Sequence, residues 1–237
     1  MSEALLFFRD NWLNALVLVW FLICFKGYMT YAKRKSYNTP CLASVMHLYR
    51  TEWMRAMLNR EVRIADNAAI ANLERGVAFL ASTTILILAG LLTVLAQTDK
   101  AINLMQGIPL AHPATKLEWE LKLLVMLALF VYAFFKSTWS LRQYGFVCVM
   151  IGSAPLPSQK LEERYLQAHA ARIAKMASIA ANNFNIGLRA YYFSLAVLSW
   201  LINPWLFMLM STGIVYVLYR REFASSTLQT LMMSTQH

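Results

Sequence analysis

The chain has 237 residues, 59% of them hydrophobic and 14% charged, with a mean hydropathy of +0.46. A soluble domain carries about 25% charged residues, so this composition excludes an ordinary water-soluble protein and points to a multi-pass membrane protein. The net charge of +10 comes without an aromatic-basic recognition motif. Nucleic acid is therefore not the expected partner, and the excess Lys and Arg reads as cytoplasmic loops and contact with anionic lipid.

At the N-terminus Glu3, Arg9 and Asp10 precede an apolar run from Trp12 to Phe25. The positive charge comes after the run, in Lys26, Lys33, Arg34 and Lys35. A cleaved signal peptide has the opposite order. The pattern predicts an uncleaved first span over about residues 9–31, its C-terminal end in the cytoplasm. Trp12, Trp20, Tyr28 and Tyr31 are placed like interfacial anchors, with Trp20 deeper.

A polar turn from Ser36 to Pro40 follows. Thr39 can cap a helix whose first turn holds Pro40. The predicted helix covers about residues 41–66. Leu42, Val45, Tyr49, Trp53, Met57 and Ile64 form its apolar stripe, with Arg50, Arg55, Glu61 and Arg63 off it. It is too charged to span lipid. It either lies on the membrane face or covers another helix.

The second span is predicted over about residues 76–97. Asn72, Gly76, Phe79, Thr83 and Gly90 share one face. Small and hydroxyl residues on a face permit close helix packing in lipid; a pore-lining stripe is the sharper alternative. An outer loop with Gly107, Pro109 and Pro113 leads to the third span, over about residues 117–138 and continuing as helix to 151. From Trp119 to Ile151 there is no proline and one glycine, Gly145. Such a helix is about 50 Å long at about 1.5 Å per residue, against a hydrocarbon core of about 30 Å. Its far end, with Phe146, Val147, Val149 and Ile151, therefore has to be covered by other protein.

Pro155 and Pro157 stop this helix. A polar helix is predicted over about residues 159–180, and a last span over about residues 188–219 with a kink at Asn203-Pro204. Arg220 and Arg221 close it. The expected fold is an all-α integral membrane protein with four transmembrane helices, span three extending into a cytoplasmic helical bundle. Nine basic residues from Lys26 to Arg75 and seven from Lys136 to Arg189 make those two loops cytoplasmic by the positive-inside bias, with both termini outside.

The joint between bundle and spans would gather Glu74, Arg75, Lys136, Arg142, Asn182, Asn185 and Arg189. Glu74 and Asp66 are the acidic candidates to pair with Arg189, since a buried Arg needs a partner. An ion pair fixing helix register and a partner or solute contact are both open readings. Catalysis is not expected. No nucleophile–base pair, glycine-rich phosphate loop or metal-ligand spacing is present, and the four histidines His47, His112, His169 and His237 do not cluster. No cofactor is implied. Cys24, Cys41 and Cys148 have no paired spacing and read as free thiols.

Three stretches carry a resemblance: Asn72–Ile85, Phe135–Val147 and Asn183–Phe193. The last, with its Gly-Leu-Arg and aromatic pair, is the most specific, followed by Ser140, Arg142 and Tyr144 in the second. The chain resembles the membrane family called domain of unknown function 599 over about residues 10–222. The resemblance implies a multi-helix membrane protein and supplies no activity. Ser140 and Tyr144 join the joint residues as candidate contacts. The expected function is a structural or interaction module at a plasma or bacterial inner membrane, homo-oligomeric and touching anionic lipid. An oligomeric channel or small-solute transporter is the alternative.

Overall fold

The computed structural model describes residues 12–105, 115–159 and 161–233. The expected N-terminal charges Glu3, Arg9 and Asp10, the loop residues Gly107, Pro109 and Pro113, and His112 and His237 lie outside them. The described residues are all-α. The helices are α1 (Trp12–Asn38, with a π turn at Ile23–Gly27), α2 (Leu42–Leu58), α3 (Ile64–Ala96) and α4 (Thr98–Met105). They continue with α5 (Lys116–Gly152), α6 (Glu163–Ile202), α7 (Pro204–Phe223) and α8 (Ser226–Met233), with one 3-10 turn at Pro157–Gln159. Three of them, α1, α3 and α5, are long and apolar enough to cross a membrane.

The chain divides into two compact units. The first holds residues up to Thr39, Ile87–Val131 and Arg189–Arg221; the second holds Pro40–Leu86, Tyr132–Leu188 and the segment from Glu222 onward.

In the first unit α1 is flanked by two helices of opposite direction. Asn14 accepts a hydrogen bond from Trp200 at 3.0 Å, Phe21 and Phe25 meet Phe193, and the Arg189 guanidinium lies 5.4 Å from the Tyr28 ring centre. α6 therefore runs antiparallel to α1. α7 runs parallel to it, because Trp20 donates to Thr212 and Lys35 donates to Tyr219 at 2.8 Å. Phe207 ties the three together, stacking on Trp200 at 4.8 Å and meeting Phe21 at 5.2 Å.

This geometry corrects the reading of residues 188–219 as one kinked rod. The helix stops at Ile202, and the Asn203 side chain caps the next one by accepting from the Trp205 N–H at 2.9 Å. Pro204 sits at the first helical position, where its missing N–H costs nothing. The chain reverses there. Arg221 consequently donates to Tyr192 at 3.0 Å, although the two would be about 40 Å apart on a straight helix.

The second unit has an alanine-rich core. Ala170, Ala174, Ala177 and Ala180 of α6 are buried against Met54, Met57, Ile70, Val77, Val147 and Ile151. Small side chains let the helices approach closely, and the long ones fill the gaps. α5 runs through its serine-rich middle without a break. Of its far-end residues, Val147 and Ile151 are buried, while Phe146 and Val149 stay 38% and 70% exposed.

The predicted helix over 41–66 is two helices. Trp53 and Arg60 both donate to the buried Asp66 carboxylate, at 2.7 and 2.6 Å, which draws the chain into a turn at Asn59–Arg63. The freed Arg63 then donates to the carbonyls of Ile151, Ala154 and Pro155 and caps the C-terminus of α5. The polar helix predicted at 159–180 runs on without interruption into the next segment, forming α6. α8 packs on α2, with the Tyr49 hydroxyl donating to the Leu231 carbonyl at 2.9 Å.

Candidate functional site

The candidate residues fall into separate places. The first is a polar seam between α5 and α6 in the second unit. Ser140 is buried and donates to the Ala180 carbonyl at 2.7 Å; Asn183 donates to Gln143 at 2.8 Å and accepts from Lys136 at 3.4 Å. The Lys136 ammonium also lies 5.8 Å from the Tyr132 ring centre. Gly187 closes the seam: a Cβ there would stand 3.1 Å from the Ser137 hydroxyl and 3.4 Å from the Ala133 carbonyl. Ser140, Gln143, Asn183 and Lys136 are hydrogen-bonded across or along the seam, while the buried Ser137 hydroxyl has no partner among the described residues; the paired groups fix helix register. Asn183 and Gln143 are its centre, and sequence reasoning passed over both. Asn183 sits between the two asparagines it did select, and its buried face was the missed signal.

Those two, Asn182 and Asn185, line a cavity of about 110 Å³ with Leu42, Ala43, Met46, Arg50, Ser178, Ala181 and Glu222. Arg50 comes from α2, four residues beyond Met46 on the same helix face. His47 Nδ1 lies 2.9 Å from the Ser178 hydroxyl, and Arg50 donates to the same oxygen at 3.5 Å. Ser178 gives its own proton to the Ala174 carbonyl at 2.8 Å. The hydroxyl therefore accepts from His47 and Arg50 and anchors them; it is not set up as a nucleophile. Burial, then the charges of Lys175 and Arg50, push the His47 pKa down, so its ring is neutral near pH 7. Burial also lowers the Arg50 pKa, offset in part by the nearby Tyr144 hydroxyl. Tyr144 itself is buried in the core.

Glu74 and Arg142 line a third place, an open groove of about 640 Å³ on the second unit, together with Phe135, Trp139, Phe146 and Val149. Arg142 stacks over Phe146 at 5.6 Å. Glu74 forms no ion pair among the described residues. Arg189, in the first unit, lies over the Tyr28 ring, and in the second unit Asp66 is taken by Arg60 and Trp53. Arg75 donates to Asn72 at 2.6 Å on the surface of α3.

The small-residue face of α3 is open at its two glycines among the described residues. A Cβ on Gly76 or Gly90 would have open space, and Thr83 donates to the Phe79 carbonyl of its own helix at 2.9 Å. Among the described residues, no three His, Cys, Asp or Glu side chains come together in a way that could hold a metal ion.

A family model described as "Protein of unknown function, DUF599" matches residues 16–227. No curated protein matches the chain, and no solved structure does.

Proposed function

The chain belongs to the DUF599 family, and from that premise and the geometry we propose that it is a membrane-embedded interaction protein that assembles with copies of itself. One observation carries this reading. Outside the residues expected in lipid, the second unit keeps the groove of Phe146, Val149 and Trp139 open to solvent, rimmed by Glu74 and Arg142. Exposed aromatic surface rimmed by charge is the usual mark of a protein contact. The open face of Gly76 and Gly90 on α3 offers a second place for close approach by a helix of another copy.

The proposed topology has five crossings. α6 from Asn183 to Ile202 and α7 from Pro204 to Phe223 are each about 30 Å long, the thickness of the hydrocarbon core. Together they replace the single last span. Lys35 and Tyr219 meet, so Lys33, Arg34 and Lys35 share one end of the first unit with Arg220 and Arg221. By the positive-inside bias that end is cytoplasmic. The C-terminus is then in the cytoplasm and the N-terminus outside, which revises the expectation of two external termini. Exposed Arg55, Arg164, Arg172 and Lys175 of the second unit supply the contact with anionic lipid.

Binding, not catalysis, is the proposed role. Conduction finds less support, since Thr83, Thr84 and Thr93 turn their hydroxyl protons to carbonyls of their own helix. The test is the mass of the purified protein in detergent. The reading expects a discrete multimer that Val149→Glu or Gly90→Leu dissociates into folded monomers. A monomeric particle, or solute flux in liposomes that those variants leave intact, would overturn it.

A further inference from the structure

We propose that the cavity between α2 and α6 is a binding site for a phosphate-sized oxyanion, held by Arg50 with Asn182 and Asn185. The argument begins with charge. Arg50 is partly buried on the cavity wall, and its one side-chain hydrogen bond is a long one to Ser178. No carboxylate lies within ion-pair distance of it among the described residues. Glu222, on the cavity wall, makes contacts of its own and forms no pair with Arg50. A half-buried guanidinium without a counter-ion carries part of the cost of a buried charge, and an anion in the adjoining space offsets it.

The surroundings fit such a ligand. Asn182 and Asn185 bring amide donors from one face of α6. His47 is spent on Ser178 and holds Arg50's anchor in place. Leu42 and Ala43 belong to the first turn of the 17-residue α2, whose dipole favours negative charge. Lys175 acts on His47 and adds to the positive potential. At about 110 Å³ there is room for an ion the size of phosphate and none for a nucleotide. The same chemistry is offered by free inorganic phosphate and by the exposed phosphomonoester of a lipid such as phosphatidic acid.

The test uses the full chain in neutral detergent, titrated with sodium phosphate at constant ionic strength in chloride. Calorimetry and thermal denaturation read the binding. Wild type is expected to show saturable binding and a rising melting temperature. Arg50→Gln removes the charged donor and Asn185→Asp brings a carboxylate into the site; each is expected to weaken phosphate binding at least about tenfold. Vesicles of phosphatidylcholine with and without phosphatidic acid separate the sources: competition between phosphatidic acid and phosphate assigns the site to the headgroup, and its absence assigns it to the free ion. If Arg50→Gln does not fold, Asn185→Asp decides. Absence of any phosphate effect beyond chloride in both settings, or wild-type binding by a folded variant, overturns the proposal.

Discussion

The two units are threaded by the same three long helices, α3, α5 and α6, yet different side chains hold each one. In the first, large rings do the joining. Phe21, Phe25, Phe193, Trp200 and Phe207 touch one another across α1, α6 and α7, with Asn14, Thr212 and Tyr219 as hydrogen-bond partners. In the second, alanines of α6 admit close neighbours, and buried polar groups set the register at Ser140, Gln143 and Asn183. On the proposed topology, in which most of the first unit lies in lipid and most of the second outside it, the contrast follows from solvent. Lipid tails give no hydrophobic reason for helices to associate, so shape and specific contacts must supply it. Water drives alanine and isoleucine together without help, and the polar seam then selects one arrangement.

The sharpest way to break the comparison is to remove a ring from the first unit. Phe207→Ala should cost about 3–5 kcal/mol by loss of packing. The melting temperature in detergent should fall, and the contact between α6 and α7 should loosen. Next is Asp66→Ala in the second unit. It strands the Trp53 indole N–H and frees Arg60, which is half exposed, so the cost is about 2–3 kcal/mol. Protease cleavage at Asn59–Arg63 should then rise while the first unit stays resistant.

The glycines sharpen the contrast further. Gly187 sits 3.1 Å (as Cβ) from Ser137 and lacks room for a larger side chain, so Gly187→Val should cost about 1–3 kcal/mol by overpacking. Gly76→Ala meets open space and should stabilise α3 by up to about 1 kcal/mol in a folded monomer. A lower melting temperature for Gly76→Ala would contradict the open face.

The smallest effect concerns His47. Its folded pKa lies below the ordinary 6.5, so the unfolded chain binds the proton more readily. The stability this neutral ring contributes is complete above pH 6.5 and is lost as pH falls through the folded value. Stability measured from pH 7.5 to pH 5 should fall less steeply in His47→Gln. Equal slopes in the two proteins would remove His47 as the cause.

Much of this architecture was legible in the sequence. The length of α5 followed from its lack of proline, and its stop from Pro155 and Pro157. Its far end was expected to be covered throughout; within the chain only Val147 and Ile151 are, and Phe146 and Val149 stay exposed. Three features were not legible. Nothing local marks the turn at Asn59–Arg63, which has neither glycine nor proline; it exists because Asp66, six residues on, captures Arg60 and Trp53. Asn203-Pro204 was visible as an interruption, but a kink and a reversal share the same dipeptide. The outcome depends on whether Trp200 stacks on Phe207, a contact between residues that a straight helix would keep about 10 Å apart. The Arg50 cavity was missed for a related reason. Arg50 lies off the apolar stripe of α2 and looks solvated until α6 covers it.

The reversal at Asn203 is the claim on which topology, the placing of Arg220 and Arg221, and the position of α8 against α2 all depend. Its most direct test is the side of the membrane reached by the C-terminus, read with a reporter fused after His237 in intact cells. The account predicts a cytoplasmic reporter, with an N-terminal tag accessible from outside. A C-terminal reporter exposed on the outer face, with the protein folded, would contradict it.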